Sequence, residues 1–139
     1  MKYTTTYVVD TPNIVRHLER IDPKYILNYI ALMRFIQMNK SSKYIVMVTP
    51  WMVNNLPNWD KIHCKNMEFK FSIEYYEGDP DMALFLVCEE EQIKNIISND
   101  NFKQKKYRDF KNFTINKIGF DFHEKSSELF IKNINEEVK

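Results

Sequence analysis

Four aspartates stand where a strand ends or a helix begins, and carboxylates so placed are suited to binding a divalent cation. Asp10 and Asp100 each follow an apolar run typical of a strand, whereas Asp79 and Asp81 flank the proline that opens a predicted helix. Carboxylates that converge repel one another, and a hard cation such as Mg²⁺ or Mn²⁺ removes that penalty. Such an ion polarises a phosphodiester and activates water for in-line attack. The pattern raises the hypothesis of a metal-dependent nuclease.

Each acid also has a purely structural interpretation. Asp79 is a good helix cap, and that role alone would explain it. Asp81 would favour the positive end of the helix dipole. Asp10 and Asp100 follow strands, where aspartate commonly starts a turn. The functional interpretation depends on their meeting at one edge of the fold.

The order of the predicted elements brings these acids together. Strand patterns cover Tyr3–Val9, Lys43–Thr49, Phe69–Tyr75 and Ile93–Ser98, and helical patterns cover about Asn13–Arg20, the segment from Pro23 through Ile36, Met82–Glu91 and Phe102–Phe110. This order predicts an α/β fold with a mostly parallel central sheet and helices on both faces. In such sheets ligands bind at the carboxyl ends of the strands. We therefore expect Asp10, Asp81 and Asp100 on one rim.

Length and composition predict a single domain over residues 1–139, with a carboxy-terminal hairpin or extension over about 113–139. Hydrophobic residues make up 44% of the chain, enough for a packed core. The net charge of +1 gives no global field for a polyanion, so a nucleic-acid site requires a local patch. Two glycines cannot build a Walker loop or a dinucleotide-binding loop.

Cysteine usage and hydropathy indicate the compartment. Cys64 and Cys88 form no C-x-x-C pair, which favours reduced thiols in an intracellular, most simply cytoplasmic, protein. The apolar runs are shorter than a membrane-spanning helix, so no membrane association is expected.

Four short stretches resemble the NYN-domain ribonucleases, a branch of the PIN-like nucleases typified by Regnase. VVDTPNI (8–14) resembles the VIDGSNV-type first motif, and IISNDNF (96–102) is similar to the IVSNDNY motif. VTPWMV (48–53) resembles the VPAWR stretch, and EGDPDMALFLV (77–87) occupies the place of the acidic helix start. The resemblance runs from about Tyr3 to His123. It implies a PIN-like (NYN) three-layer sandwich and a Mg²⁺- or Mn²⁺-dependent endoribonuclease acting on single-stranded or looped RNA.

The resemblance also assigns roles to individual residues. Asp10, Asp81 and Asp100, with Asp79 as a further candidate, would bind the metal, and Asn13 would orient the substrate or the first acid. Ser98 and Asn99 would hold the strand tip by hydrogen bonds. Two departures stand out: Gln104 replaces an acid of the family motif, and Met52 replaces the arginine that follows its tryptophan.

A basic cluster with aromatic neighbours follows IISNDNF (96–102) and is the candidate RNA contact. Lysines there could meet phosphates, and an exposed aromatic could stack on a base; a solvated basic helix is the alternative. Trp51 could likewise stack on a base or cap the core. The candidate substrate-binding residues are Asn13, Trp51, Ser98, Asn99, Asn101, Lys103, Lys105, Lys106 and Arg108.

Two other functions stay open at this point. Gln104 and Met52 are compatible with a catalytically degenerate PIN-like domain that binds RNA or a protein partner. The acidic edge could also serve stability alone, in a regulatory interaction domain. Homodimerisation is left open, since no stretch of the sequence fixes an interface.

Overall fold

The chain folds into helices and strands that follow one another along the sequence. The computed structural model describes residues 5–15, 25–49, 52, 66–71, 80–100 and 115–138. The elements in these ranges are β1 (Thr6–Val9), α1 (Thr11–Val15), α2 (Tyr25–Met38), β2 (Lys43–Val48), β3 (Met67–Phe71), α3 (Pro80–Glu91), β4 (Asn95–Ile97), β5 (Ile115–Phe122) and β6 (Leu129–Val138).

The six strands form one sheet in the order β3-β2-β1-β4-β5-β6. Each neighbouring pair is parallel except β5 and β6, which are antiparallel. From β1 the chain adds β2 and then β3 on one side, and it then crosses to place β4 on the other side of β1. The strand order therefore reverses between β1 and β4. In open α/β sheets, the carboxyl ends of the strands at such a switch point frame a crevice where ligands bind.

The central strands carry apolar side chains on both faces of the sheet. Val9 and Ile97 pack in a cluster with residues of α1 and α2. Val8 and Ile96 pack with residues of α3 in a second cluster. Because successive side chains of a strand point to opposite faces, helices cover both faces of the sheet. The arrangement is compatible with a three-layer sandwich.

The helix α1 begins two residues earlier than the sequence pattern predicted. Pro12 lies in its first turn, where a missing backbone N–H costs no helical hydrogen bond. The apolar pattern of α2 predicts that Leu27, Leu32 and Phe35 widen its buried face, and Leu32 is completely buried. The prediction that Leu27 widens the buried face was wrong: this side chain is 59% exposed. Helical periodicity places Leu27 near the other apolar residues but does not say how far the packed face extends.

The predicted carboxy-terminal hairpin is confirmed as β5 and β6, and its second strand continues to Val138. The register between the two strands shifts between Ile118 and Phe120, so Gly119 lies at an irregularity of the ladder. The parallel pairing of β5 with β4 extends the sheet on that side. Periodicity identified β5 as a strand but carried no information on its neighbour.

The predicted α/β class with a mostly parallel sheet is confirmed. Within the described ranges, no helix combines the length and the hydropathy needed to cross a bilayer. The predicted basic helix Phe102–Phe110 and the ends of the Asn13–Arg20 and Phe69–Tyr75 predictions lie outside the described residues.

Candidate functional site

Asp10 and Asp100 follow the two strands that flank the switch point of the sheet. Val9 pairs with Ile97 in the parallel ladder between β1 and β4. The backbone N–H of Asp10 then donates to the carbonyl of Ile97 at 3.0 Å. Asp10 lies one residue beyond its strand, and Asp100 lies three residues beyond its own. The structure thus brings both acids to the same carboxyl edge, as the order of the elements predicted.

The Ser98 hydroxyl connects the two acidic segments. Its Oγ donates a hydrogen bond to Oδ2 of Asp10 at 2.6 Å, between residues 88 positions apart in sequence. The same Oγ accepts a hydrogen bond from the backbone N–H of Asp100 at 3.1 Å. Ser98 is fully buried and Asp10 is only 2% exposed. A short hydrogen bond to a carboxylate is stronger than one between neutral groups, so Ser98 fixes both the Asp10 side chain and the start of the Asp100 turn.

Asn13 and Asn99 also make hydrogen bonds that hold the turn from Ser98 to Asp100. The backbone N–H of Asn99 donates to Oδ1 of Asn13, in α1, at 2.9 Å. The side-chain amide of Asn99 bonds both the N–H and the C=O of Phe120, each at 3.0 Å. Asn13 therefore contacts the segment that carries Asp100. Its predicted role toward substrate stays a prediction.

A carboxylate buried as deeply as Asp10 is costly unless positive charge or hydrogen bonds compensate for lost hydration. Ser98 supplies one hydrogen bond, and a second acid follows the neighbouring strand. Oxygen donors of this kind are the ligands that Mg²⁺ and Mn²⁺ prefer. The residues present at this edge therefore fit a hard divalent cation.

The third predicted acid opens α3, which runs from the carboxyl edge toward the amino edge of the sheet. The helix ends at Glu91, shortly before β4 starts at Asn95, and its buried face packs against Val8 and Ile96. About 18 Å of helix lies between its two ends. Its first turn, with Asp81, is therefore directed to the edge that carries Asp10. The position of the Asp81 side chain lies outside the described residues, as does all of Asp79.

The described part of the chain includes the side chains of Asp10 and Asp100 but not those of Asp79 and Asp81. There, no set of three or more His, Cys, Asp or Glu side chains is placed to hold a metal ion. Whether Asp81 completes the set stays a prediction.

The remaining predicted site residues fall elsewhere. Met52, which stands in place of the family's arginine, is 1% exposed and packs in the cluster of α1 and α2. Its backbone N–H donates to Oγ1 of Thr49 at 3.3 Å. The candidates outside the described residues are Trp51, Asn101, Lys103, Lys105, Lys106 and Arg108.

Sequence reasoning missed the contribution of β5 to this edge. Phe120 takes part through its backbone, so its side chain carries no signal of the role. Gly119 did offer a signal, because an isolated glycine inside a strand pattern indicates a bulge or a close backbone approach.

A cavity of about 530 Å³ lies between α2 and the turn of the β5–β6 hairpin. Leu27, Arg34 and Met38 line it from the helix, and Glu128 and Phe130 line it from the hairpin. Among the described residues, none that lines this cavity belongs to the carboxyl edge. The carboxyl edge, where the Asp10 and Asp100 segments converge, is therefore the candidate functional site.

Comparisons with protein-family models, with curated proteins and with solved structures gave no match to this chain.

Proposed function

We propose that the chain is a PIN-like, NYN-type endoribonuclease that uses Mg²⁺ or Mn²⁺ to hydrolyse phosphodiester bonds of single-stranded or looped RNA. The observation that carries the proposal is the hydrogen-bonded pair of Asp10 and Ser98 at the switch point, with Asp100 two residues further along. A turn alone does not require a carboxylate that is 2% exposed. A cation site does require oxygen ligands held in a fixed orientation.

The motif resemblance supports the same assignment. The aspartates of VVDTPNI (8–14) and IISNDNF (96–102) are the two that lie at the switch point. Ser98 and Asn99, which precede Asp100 in the second motif, make the hydrogen bonds that hold the turn. The motif residues thus act as one structural unit, as a binding site requires.

The roles of the protein groups follow from their positions. Asp10 and Asp100 supply carboxylate oxygens, and Ser98 keeps one oxygen of Asp10 engaged so that Oδ1 is oriented. When bound, a divalent ion supplies Lewis-acid polarisation of the phosphate and activation of the attacking water. The basic cluster from Lys103 to Arg108 would hold the RNA through its phosphates.

The direct test is cleavage of labelled single-stranded RNA in Mg²⁺, in Mn²⁺ and in EDTA. We expect cleavage with either cation and none in EDTA. Asp10→Asn and Asp100→Asn should each lower the rate at least about 100-fold, because a lost ligand weakens both metal affinity and charge stabilisation. Asp121→Asn is the matched control, since this exposed carboxylate of β5 forms a salt bridge with Lys132 at 3.7 Å and accepts from the backbone N–H of Phe122 at 2.8 Å. Full metal-dependent activity in both site variants would refute the assignment.

One observation favours a second candidate function. Met52 is buried in the core, so the position of the family's arginine presents no cation to RNA. This fits a degenerate PIN-like domain that binds RNA without cleaving it. In the same assay such a domain would yield no cleavage product with either cation, although it would bind the labelled RNA.

A further inference from the structure

The side chain of Asn99 makes hydrogen bonds to the backbone of β5 just beyond the last backbone hydrogen bond between β4 and β5. The N–H of Ser98 donates to the carbonyl of Ile118 at 3.0 Å. One step further, the side-chain amide of Asn99 donates to the carbonyl of Phe120 and accepts from its N–H, each at 3.0 Å. This pairing has the donor and acceptor pattern of a peptide group. The Asn99 side chain thus takes the place of a backbone peptide group in pairing with Phe120 of β5.

The backbone of residues 99 and 100 bonds elsewhere as a result. The N–H of Asn99 donates to Oδ1 of Asn13 at 2.9 Å, and the N–H of Asp100 donates to Oγ of Ser98 at 3.1 Å. These contacts turn the chain from β5 toward α1 and β1. Asp100 is therefore directed to the side of the sheet where Asp10 lies.

Gly119 gives the Asn99 side chain the space for this contact. A Cβ atom at residue 119 would lie 3.3 Å from Oδ1 of Asn99 and 3.8 Å from Cδ of Lys132. The first distance is tighter than ordinary van der Waals contact, so the amide would have to shift by a few tenths of an ångström. Because that amide makes two hydrogen bonds to Phe120, the shift would distort both of them.

We propose that Asn99 is a positioning residue for the metal site, and that Gly119 is its required steric partner. Through its amide pairing with Phe120, Asn99 sets the backbone direction of Asp100, so β5 controls the geometry of a cation that it does not contact. The inference rests on the proposed function, because it requires that Asp100 binds a divalent ion.

The test is direct titration of Mn²⁺ binding by electron paramagnetic resonance, which does not depend on RNA cleavage. Asn99→Ala should raise the Mn²⁺ dissociation constant about 10-fold or more, the range typical of residues that orient metal ligands. Gly119→Ala should raise it in the same direction by a smaller factor. If Asn99→Ala fails to fold by circular dichroism, the Gly119→Ala result decides.

Asn95→Ala is the matched control. Asn95 lies at the other end of β4, and its side-chain amide donates to the backbone carbonyl of Thr6 at 3.4 Å. Removing it should lower the melting temperature, as removal of the Asn99 amide should, but leave the Mn²⁺ dissociation constant unchanged. The comparison separates positioning from general stability.

Three outcomes are distinguishable. Weakened Mn²⁺ binding in Asn99→Ala and Gly119→Ala, with binding unchanged in Asn95→Ala, supports the inference. Mn²⁺ affinity within about two-fold of the unmodified protein in Asn99→Ala and Gly119→Ala overturns the inference and leaves the proposed function standing. No Mn²⁺ binding by the unmodified protein overturns both.

Discussion

The Asp10 carboxylate is the residue whose placement most needs a functional explanation. It is buried beside a second acidic segment, and Ser98 Oγ approaches it to 2.6 Å. A buried charge of this kind lowers stability unless its surroundings compensate for lost hydration. Proteins tolerate such costs at sites where binding or catalysis uses the charge. Cys88, a residue of α3, illustrates the ordinary case: burial raises the pKa of its thiol, which stays neutral in the apolar cluster between this helix and the sheet.

The hydrogen bond between Ser98 and residue 10 should survive loss of the charge at that residue. In EDTA, we expect Asp10→Asn to have a free energy of unfolding within about 1 kcal/mol of that of the unmodified protein, because the amide oxygen still accepts from Ser98. Asp10→Ala should lose about 1–3 kcal/mol, since the Ser98 hydroxyl then lacks this partner. Urea unfolding measures both. A loss above about 2 kcal/mol in Asp10→Asn would show that the carboxylate serves stability.

At the scale of elements, the site follows from how the strands are connected. The crossover through α1 and α2 covers one face of the sheet, and the crossover through α3 covers the other. The chain leaves β1 and β4 at adjacent points, so short polar segments after each strand must lie side by side. The apolar residues Val8–Val9 and Ile96–Ile97 were enough to predict the strands that carry the two acidic segments. The hydrogen bonds that hold the turn before Asp100 could not be predicted in the same way. They depend on the pairing of β5 with β4, which no local pattern encodes.

The first turn of α3 provides the next test of this arrangement. Asp81→Asn should raise the Mn²⁺ dissociation constant at least about 10-fold if the side chain completes the site. An acid that serves only the helix dipole would cost about 0.3–1 kcal/mol of stability and leave Mn²⁺ affinity unchanged. Isothermal titration calorimetry and urea unfolding distinguish these cases. Glu90→Gln is the control, because this exposed residue lies in the last turn of the same helix.

At the scale of the whole molecule, periodicity predicted the α/β class, and the apolar runs located the strands and helices. The order of the strands in the sheet could not be predicted. The alternation of apolar and polar residues encodes which face of the sheet a side chain takes, but not which strand lies beside it. Leu27 was assigned to the core from its helical spacing, yet it lines the cavity between α2 and the hairpin. The Asn99–Phe120 pairing joins residues 21 positions apart, and only the folded sheet brings them together.

We propose that Asp10 and Asp100 bind one divalent cation at the switch point. The most direct measurement is anomalous X-ray scattering from crystals of the protein grown with MnCl₂. We predict an anomalous difference peak within coordination distance, about 2.0–2.3 Å, of a carboxylate oxygen of each residue, and loss of that peak in crystals of Asp10→Asn. A well-ordered carboxyl edge without such a peak, at Mn²⁺ concentrations that support RNA cleavage, would contradict the account.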